Sequence, residues 1–72
     1  MTNEEKLILY TMPGCDVCDT ARSELRADGI DFEERDVMTN KTWFDEVLKR
    51  TIFVPVVQRG EAFEIGWKGV VG

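Results

Sequence analysis

Two residues in this chain carry a chemistry of their own, Cys15 and Cys18, in the run Cys15-Asp16-Val17-Cys18. They are the only cysteines, and the chain has no histidine. Without histidine there is no Ser-His or Cys-His catalysis and no His-ligated metal site. The cysteine pair would close a loop of only a few residues, and the entropic gain from a crosslink grows with the loop it closes. Stapling the fold is therefore a poor explanation of the pair. A structural zinc site takes four ligands; with no second Cys or His pair, one chain supplies half of such a site. What remains is reversible dithiol–disulfide exchange, which two neighbouring thiols perform unaided. C-x-x-C is common in metal sites too, so its context decides.

That context is read from the elements on either side. Lys6 to Thr11 contains the apolar run Leu7-Ile8-Leu9-Tyr10, the pattern of a strand covered on both faces. Met12-Pro13-Gly14 ends it with two turn formers. A helix is expected from about Asp16 to Asp28, with Cys18, Ala21 and Leu25 at i, i+3 and i+7 on one buried stripe. Asp16 and Asp19 suit the positive end of its dipole, and Gly29 is a natural stop. Ile30 to Val37 reads as a second strand, with Ile30 and Phe32 on one face; Glu33, Glu34, Arg35 and Asp36 mark it as an exposed edge. Thr39 or Asn40 caps a second helix reaching about Arg50, with Trp43, Phe44, Val47 and Leu48 as its apolar stripe. A third strand, Ile52 to Val57, is interrupted by Pro55. Arg59-Gly60-Glu61 is a tight turn into a fourth, Ala62 to Ile65. Gly66-Trp67-Lys68-Gly69 is a loop. The order is β-α-β-α-β-β. The first two strands should be parallel through a right-handed crossover and the last two an antiparallel hairpin, giving an α/β fold with a mixed four-stranded sheet and helices packed on it.

This order puts Cys15 where the first strand meets the first helix, with its sulfur facing the unsatisfied N–H groups of the first turn. Those dipoles favour thiolate over thiol, and the thiolate is the nucleophile. Cys18 lies about one turn on and shares the same side of the helix. Cys15 would attack a substrate disulfide to form a mixed disulfide, and Cys18 would release the product by attacking Cys15. Asp16 and Asp19 oppose negative charge on the thiol, so the thiolate bias should be weaker than in a site flanked by Lys or Arg. Proline in an apolar strand run loses a ladder donor. A cis Val54–Pro55 bond would aim the Val54 backbone outward, where it could pair with an extended substrate. The residues alone favour a trans proline at a strand start, because only about 5–6% of X–Pro bonds in folded proteins are cis.

The segment Tyr10-Thr11-Met12-Pro13-Gly14-Cys15-Asp16-Val17-Cys18, with Val54-Pro55 further on, resembles the glutaredoxin-like redoxins of the thioredoxin superfamily. The likeness covers residues 6 to 69. It implies a thioredoxin fold, a nucleophilic Cys15, a resolving Cys18 and a cis Pro55 packed opposite them. This chain has Met12 where glutaredoxins often carry Lys, Val17 where they often have an aromatic, and Phe53 in place of the Thr of Thr-Val-Pro. Their Gly-Gly-x-Asp-Asp, which holds the amino end of glutathione, is missing. Trp67-Lys68-Gly69 is similar instead to the Trp-Ser-Gly of the small redoxins that reduce ribonucleotide reductase and are recharged by thioredoxin reductase. The family's C-terminal helix has no residues left to build it. Trp67 could flank the active site and contact a partner, or cap the sheet. Met12 could touch substrate or only pack beside the turn.

Composition narrows the rest. The chain has 72 residues, 43% hydrophobic and 32% charged, with a formal net charge of −5. This is a globular balance of one domain's size, expected to span residues 1 to 72. A net negative chain without a basic cluster argues against nucleic-acid binding. No stretch approaches the roughly 18 apolar residues of a membrane span, and Met1 to Lys6 lacks the basic start of a secretory signal. The expectation is a cytoplasmic, monomeric thiol-disulfide oxidoreductase. It would reduce protein disulfides through Cys15 and Cys18, with Val54, Pro55, Met12 and Trp67 at the substrate, a reductase or glutathione as electron donor, and no bound metal or cofactor. The competing expectations are a glutathione-linked or iron–sulfur-bridging module, with Cys15 of two chains holding a cluster, and a non-catalytic interaction domain.

Overall fold

The computed structural model of the protein describes residues 6–72; of the polar N-terminal segment, residues 1–5 lie outside them. Six elements follow in the order β1 (Leu7–Thr11), α1 (Asp16–Ala27), β2 (Phe32–Asp36), α2 (Lys41–Leu48), β3 (Val56–Arg59) and β4 (Ala62–Ile65). The sheet order is β2-β1-β3-β4. β1 runs parallel to β2, with Leu7 opposite Phe32 and Thr11 opposite Asp36. It runs antiparallel to β3, with Leu9 opposite Val57 and Tyr10 opposite Val56. β3 and β4 form the hairpin, Val56 opposite Ile65. The apolar run of β1 is thus the inner strand that its sequence describes.

Alternation along the strands divides the core into two layers. Leu7, Leu9 and Val57 face α1 and bury against its Ala21 and Leu25, with Phe32 and Trp67 packed at the margin. Tyr10 and Val56 face α2 and bury with Val37 and Val47, backed by Trp43, Phe44 and Phe63. Period two on each strand and a one-sided stripe on each helix produce helices on opposite faces of one sheet. Asn40, rather than Thr39, caps α2: its side-chain oxygen accepts from the N–H groups of Thr42 and Trp43, two of the donors that a helix start leaves unpaired.

The boundaries depart from the sequence reading in three places. β2 is five residues long because β1 offers only five partners, so Ile30 stays outside it and is exposed. α2 ends at Leu48, itself exposed, and the expected apolar stripe stops at Val47. β3 begins after Pro55: Ile52 and Phe53 lie outside the ladder, Ile52 at 81% exposure. Proline has no N–H for a neighbour, so Val56 is the first residue of this run that the sheet can use.

The charged residues of β2 are engaged, not merely solvated. The Arg22 guanidinium of α1 donates to both carboxylate oxygens of Glu34, at 2.8 and 2.6 Å, and to Asp19 at 2.7 Å. The Thr11 hydroxyl donates to Glu34 as well, at 3.0 Å. On the other face Arg35 lies over the rings of Tyr10 and Trp43. Arg22 chiefly, then Thr11, hold the Glu34 carboxyl below the usual carboxylate range. A carboxyl so depressed stabilises the fold above its unfolded pKa, and the contribution disappears as pH falls through the lower folded value. Glu34→Gln should therefore cost about 1 kcal/mol in urea unfolding at pH 7. By about pH 3 the two proteins should approach each other. A gap equally large in acid would show that the ion pair is not its source.

Candidate redox site

The site grows out of the turn between β1 and α1. Gly14 takes φ +77°, a conformation that residues with a Cβ seldom adopt, and the chain re-enters at Cys15 as the N-cap of α1 with extended φ and ψ. The Cys15 carbonyl accepts the first helical bond, from the Asp19 N–H at 3.1 Å. Its sulfur plays the capping part usually taken by an oxygen: the Cys18 N–H donates to Cys15 Sγ at 3.0 Å. Cys15 and Cys18 are joined as a disulfide, their Cα atoms 5.2 Å apart. Cys15 is 7% exposed and Cys18 fully buried, so Cys15 is the more accessible of the two. The N–H contact and the helix dipole both favour negative charge on that sulfur. Of the two acidic residues in the first turn, Asp19 is paired with Arg22; its opposing charge is partly balanced.

The wall facing the cysteines is Val54. It buries with Cys15 and Cys18 in a small cluster that Met12 and Val17 complete. The Val54–Pro55 bond is cis, as the family likeness implies and against the preference of the residues alone. Pro55 is buried, and its carbonyl accepts from the Gly66 N–H at 2.7 Å. The structure therefore brings Met12, Cys15, Cys18, Val54 and Pro55 to one place. Trp67 packs on the α1-side core layer and borders, with Val17, Glu24 and Lys68, a shallow recess that adjoins the cysteine cluster through Val17. Its backbone pairs with Val70 across a tight turn, in which Lys68 and Gly69 both have positive φ. Lys68 reaches back to Glu24 of α1 at 2.5 Å.

Two residues at the site were not singled out by sequence reasoning. Val17, noted there only as a departure from the family pattern, packs on the cysteine cluster; its place between the cysteines was the available signal. Gly72 returns to the site, its N–H donating to the Val54 carbonyl at 2.7 Å. Nothing in the loop sequence announces that contact. Among the described residues no group of three or more His, Cys, Asp or Glu side chains converges as a metal site would require, and no helix is long and apolar enough to cross a membrane. A groove of about 740 Å³ lies on the α2 side of the sheet among Tyr10, Arg35, Trp43, Arg50 and Phe63, and includes neither cysteine.

Comparison with known proteins agrees with this geometry. The structure is similar to the glutaredoxin-like NrdH-redoxin of Escherichia coli, with a TM-score of 0.78 and 22% identity over 85% of this chain and 82% of that one. It is similar also to a glutaredoxin of Archaeoglobus fulgidus, with a TM-score of 0.72 and 21% identity over 90% and 78%. In sequence the chain is 43% identical over 51 residues to the Gene 56 protein of Mycobacterium phage L5. That match takes in 68% of this chain and 50% of the phage protein, so the chain spans about half the length of the curated relative it matches. The family model for glutaredoxin matches residues 7–63, which include both cysteines and the Val54-Pro55 wall. With its fold, its cysteine turn and most of its length in agreement, the chain belongs to the glutaredoxin family.

Proposed function

We propose that this protein is a dithiol electron carrier that reduces disulfides of partner proteins. The observation that carries the reading is the capped sulfur: Cys15 Sγ sits at the start of α1 with a backbone N–H donating to it, while Cys18 waits fully buried one turn behind. In the reduced protein the Cys15 thiolate attacks one sulfur of a partner disulfide. The partner's S–S bond breaks, a Cys15–partner disulfide forms, and the other partner sulfur leaves as a thiolate that takes up a proton. The Cys18 sulfur, giving up its proton, then attacks Cys15 Sγ. The mixed disulfide breaks, the second partner thiol departs, and Cys15 and Cys18 are left as the disulfide. Two electrons have passed to the partner. Met12, Val17 and Val54 give the approach to Cys15 an apolar lining, and the Val54 backbone is the edge an extended partner segment would meet.

A reductase, rather than glutathione, fits this lining as the source of electrons. Glutathione presents carboxylates at both ends and needs cations or free backbone donors to hold them. Of the cations on α1 and the Trp67–Val70 turn, Arg22 and Lys68 are bound to Glu34, Asp19 and Glu24, and Arg26 lies in the last turn of α1, at the end remote from Cys15. The oxidised protein should accordingly be reduced rapidly by NADPH with thioredoxin reductase and slowly by millimolar glutathione, followed as NADPH consumption and by thiol titration. Fast turnover with glutathione alone would reverse this assignment of the donor. The cytoplasm, where such reductants keep thiols reduced, is the compartment this chemistry suits.

A further inference from the structure

Resting on the exchange chemistry just described, the geometry points to Gly72 as the residue that sets access to the reacting sulfur: the space left by its missing side chain is the opening through which a partner sulfur reaches Cys15. A Cβ placed on Gly72 would stand 2.5 Å from Cys15 Sγ, 3.2 Å from the Val54 carbonyl oxygen and 3.7 Å from Cys15 Cβ. Reacting atoms in a near-attack arrangement are about 3–3.5 Å apart. The side chain of any other residue at position 72 would therefore begin inside the shell that the incoming sulfur must occupy. The neighbours cannot easily give way. Cys15 Sγ is directed by the Cys18 N–H and, in the oxidised protein, held by its bond to Cys18, and the Val54 oxygen belongs to the backbone.

Gly72 differs in this from the other glycine at the site. Gly14 has φ +77° with nothing within 4 Å of a built Cβ, so backbone conformation is its reason. Gly72 has no left-handed φ; the objection to a side chain there is space alone. Its position is also fixed from two sides. The Trp67–Val70 turn is tied to α1 through Lys68 and Glu24, and the Gly72 N–H is tied to the Val54 carbonyl. That second contact has a consequence for recognition. With the Val54 carbonyl already taken, an extended partner segment arriving at this edge has the Val54 N–H to pair with, and must pass Gly72 to do so.

The test uses Gly72→Ala and Gly72→Val in the full chain, with Val71→Ala as a neighbouring control. Three measurements are made on each: alkylation of reduced Cys15 by iodoacetamide across pH, exchange with 2-hydroxyethyl disulfide, and reduction of insulin. Gly72→Ala should slow all three by about ten- to a hundredfold, and Gly72→Val by more, since a misplacement of about 1 Å at a reacting atom costs on the order of a hundredfold. The midpoint of the alkylation–pH profile should not move, because the change is in access and not in charge. Val71→Ala should match the unsubstituted protein. Rates within twofold of wild type for Gly72→Ala overturn the inference and leave the redox reading intact. So does a shifted midpoint, equal slowing in Val71→Ala, or a collapse of the melting temperature in Gly72→Ala. If the unsubstituted protein itself exchanges no disulfides, both the inference and the proposed function fall.

Discussion

Cys15→Ser should abolish disulfide reduction outright, whereas Cys18→Ser should stop turnover but hold the partner as a covalent adduct. The asymmetry follows from the position of each sulfur on α1. Cys15 is the N-cap, the more accessible of the two, with a backbone N–H aimed at its sulfur. A serine there keeps the cap, since an oxygen accepts the same N–H, but an alcohol does not exchange with disulfides. The fold should persist while the chemistry is lost. Cys18 is fully buried beneath the first turn, where Cys15 is the sulfur within its reach. With a serine replacing Cys18 the first attack still occurs, the mixed disulfide forms, and no internal thiol remains to break it. Incubated with insulin and run without reductant, Cys18→Ser should show an adduct that dithiothreitol releases; Cys15→Ser and the double variant should show none. Should Cys18→Ser turn over at the wild-type rate with an external thiol, one cysteine would suffice. The dithiol scheme would then be wrong, even though the family assignment would stand.

The parts of this site that the sequence announces are those whose physics is local. An unbroken apolar run, a Pro-Gly turn, a cysteine in capping position and a second cysteine one turn on define β1, the turn and the start of α1, and the structure places them within a residue of expectation. The stripe of Cys18, Ala21 and Leu25 is buried as its spacing requires. Features decided by contacts between distant residues were less legible. Ile52, Phe53 and Val54 look like strand in composition, yet the ladder starts only at Val56, because pairing depends on what Tyr10 and Ile65 offer across the sheet. The Glu33 to Asp36 run looks like a solvated edge, yet Glu34 and Arg35 turn to opposite faces and find Arg22 on one and aromatic rings on the other. Trp67 could not be placed from its type alone, since an indole serves a binding surface and a sheet margin equally well; its burial on the α1 layer comes from the turn at Lys68 and Gly69. Gly72 carries no signal in sequence. Only the folded loop brings it against Cys15.

Stability and redox chemistry meet in α1, and this gives the second large expected effect. The helix is held to the sheet chiefly by Ala21 and Leu25 against Leu7, Leu9 and Val57, and Leu25 is 1% exposed. Leu25→Ala removes the largest buried side chain that α1 contributes and leaves a cavity between helix and sheet, a change that typically costs 2–5 kcal/mol, about 3 being central. A chain of 72 residues has a total stability on the order of 4–11 kcal/mol. The substitution should therefore lower the melting midpoint by roughly 10–30 °C and leave a measurable unfolded fraction at 37 °C if the protein lies at the weaker end of that range. Ile52→Ala removes a side chain of similar size that is 81% exposed and should move stability by no more than about 0.5 kcal/mol. Because the first turn of α1 carries both cysteines and the far half carries Leu25, the two variants also separate packing from chemistry. At 15 °C, where most Leu25→Ala molecules remain folded, the rate of Cys15 alkylation should follow the folded fraction and no more. A rate that rises well beyond it would mean that the helix start loosens independently of the sheet, and that burial of Leu25 is not what seats the cysteine turn.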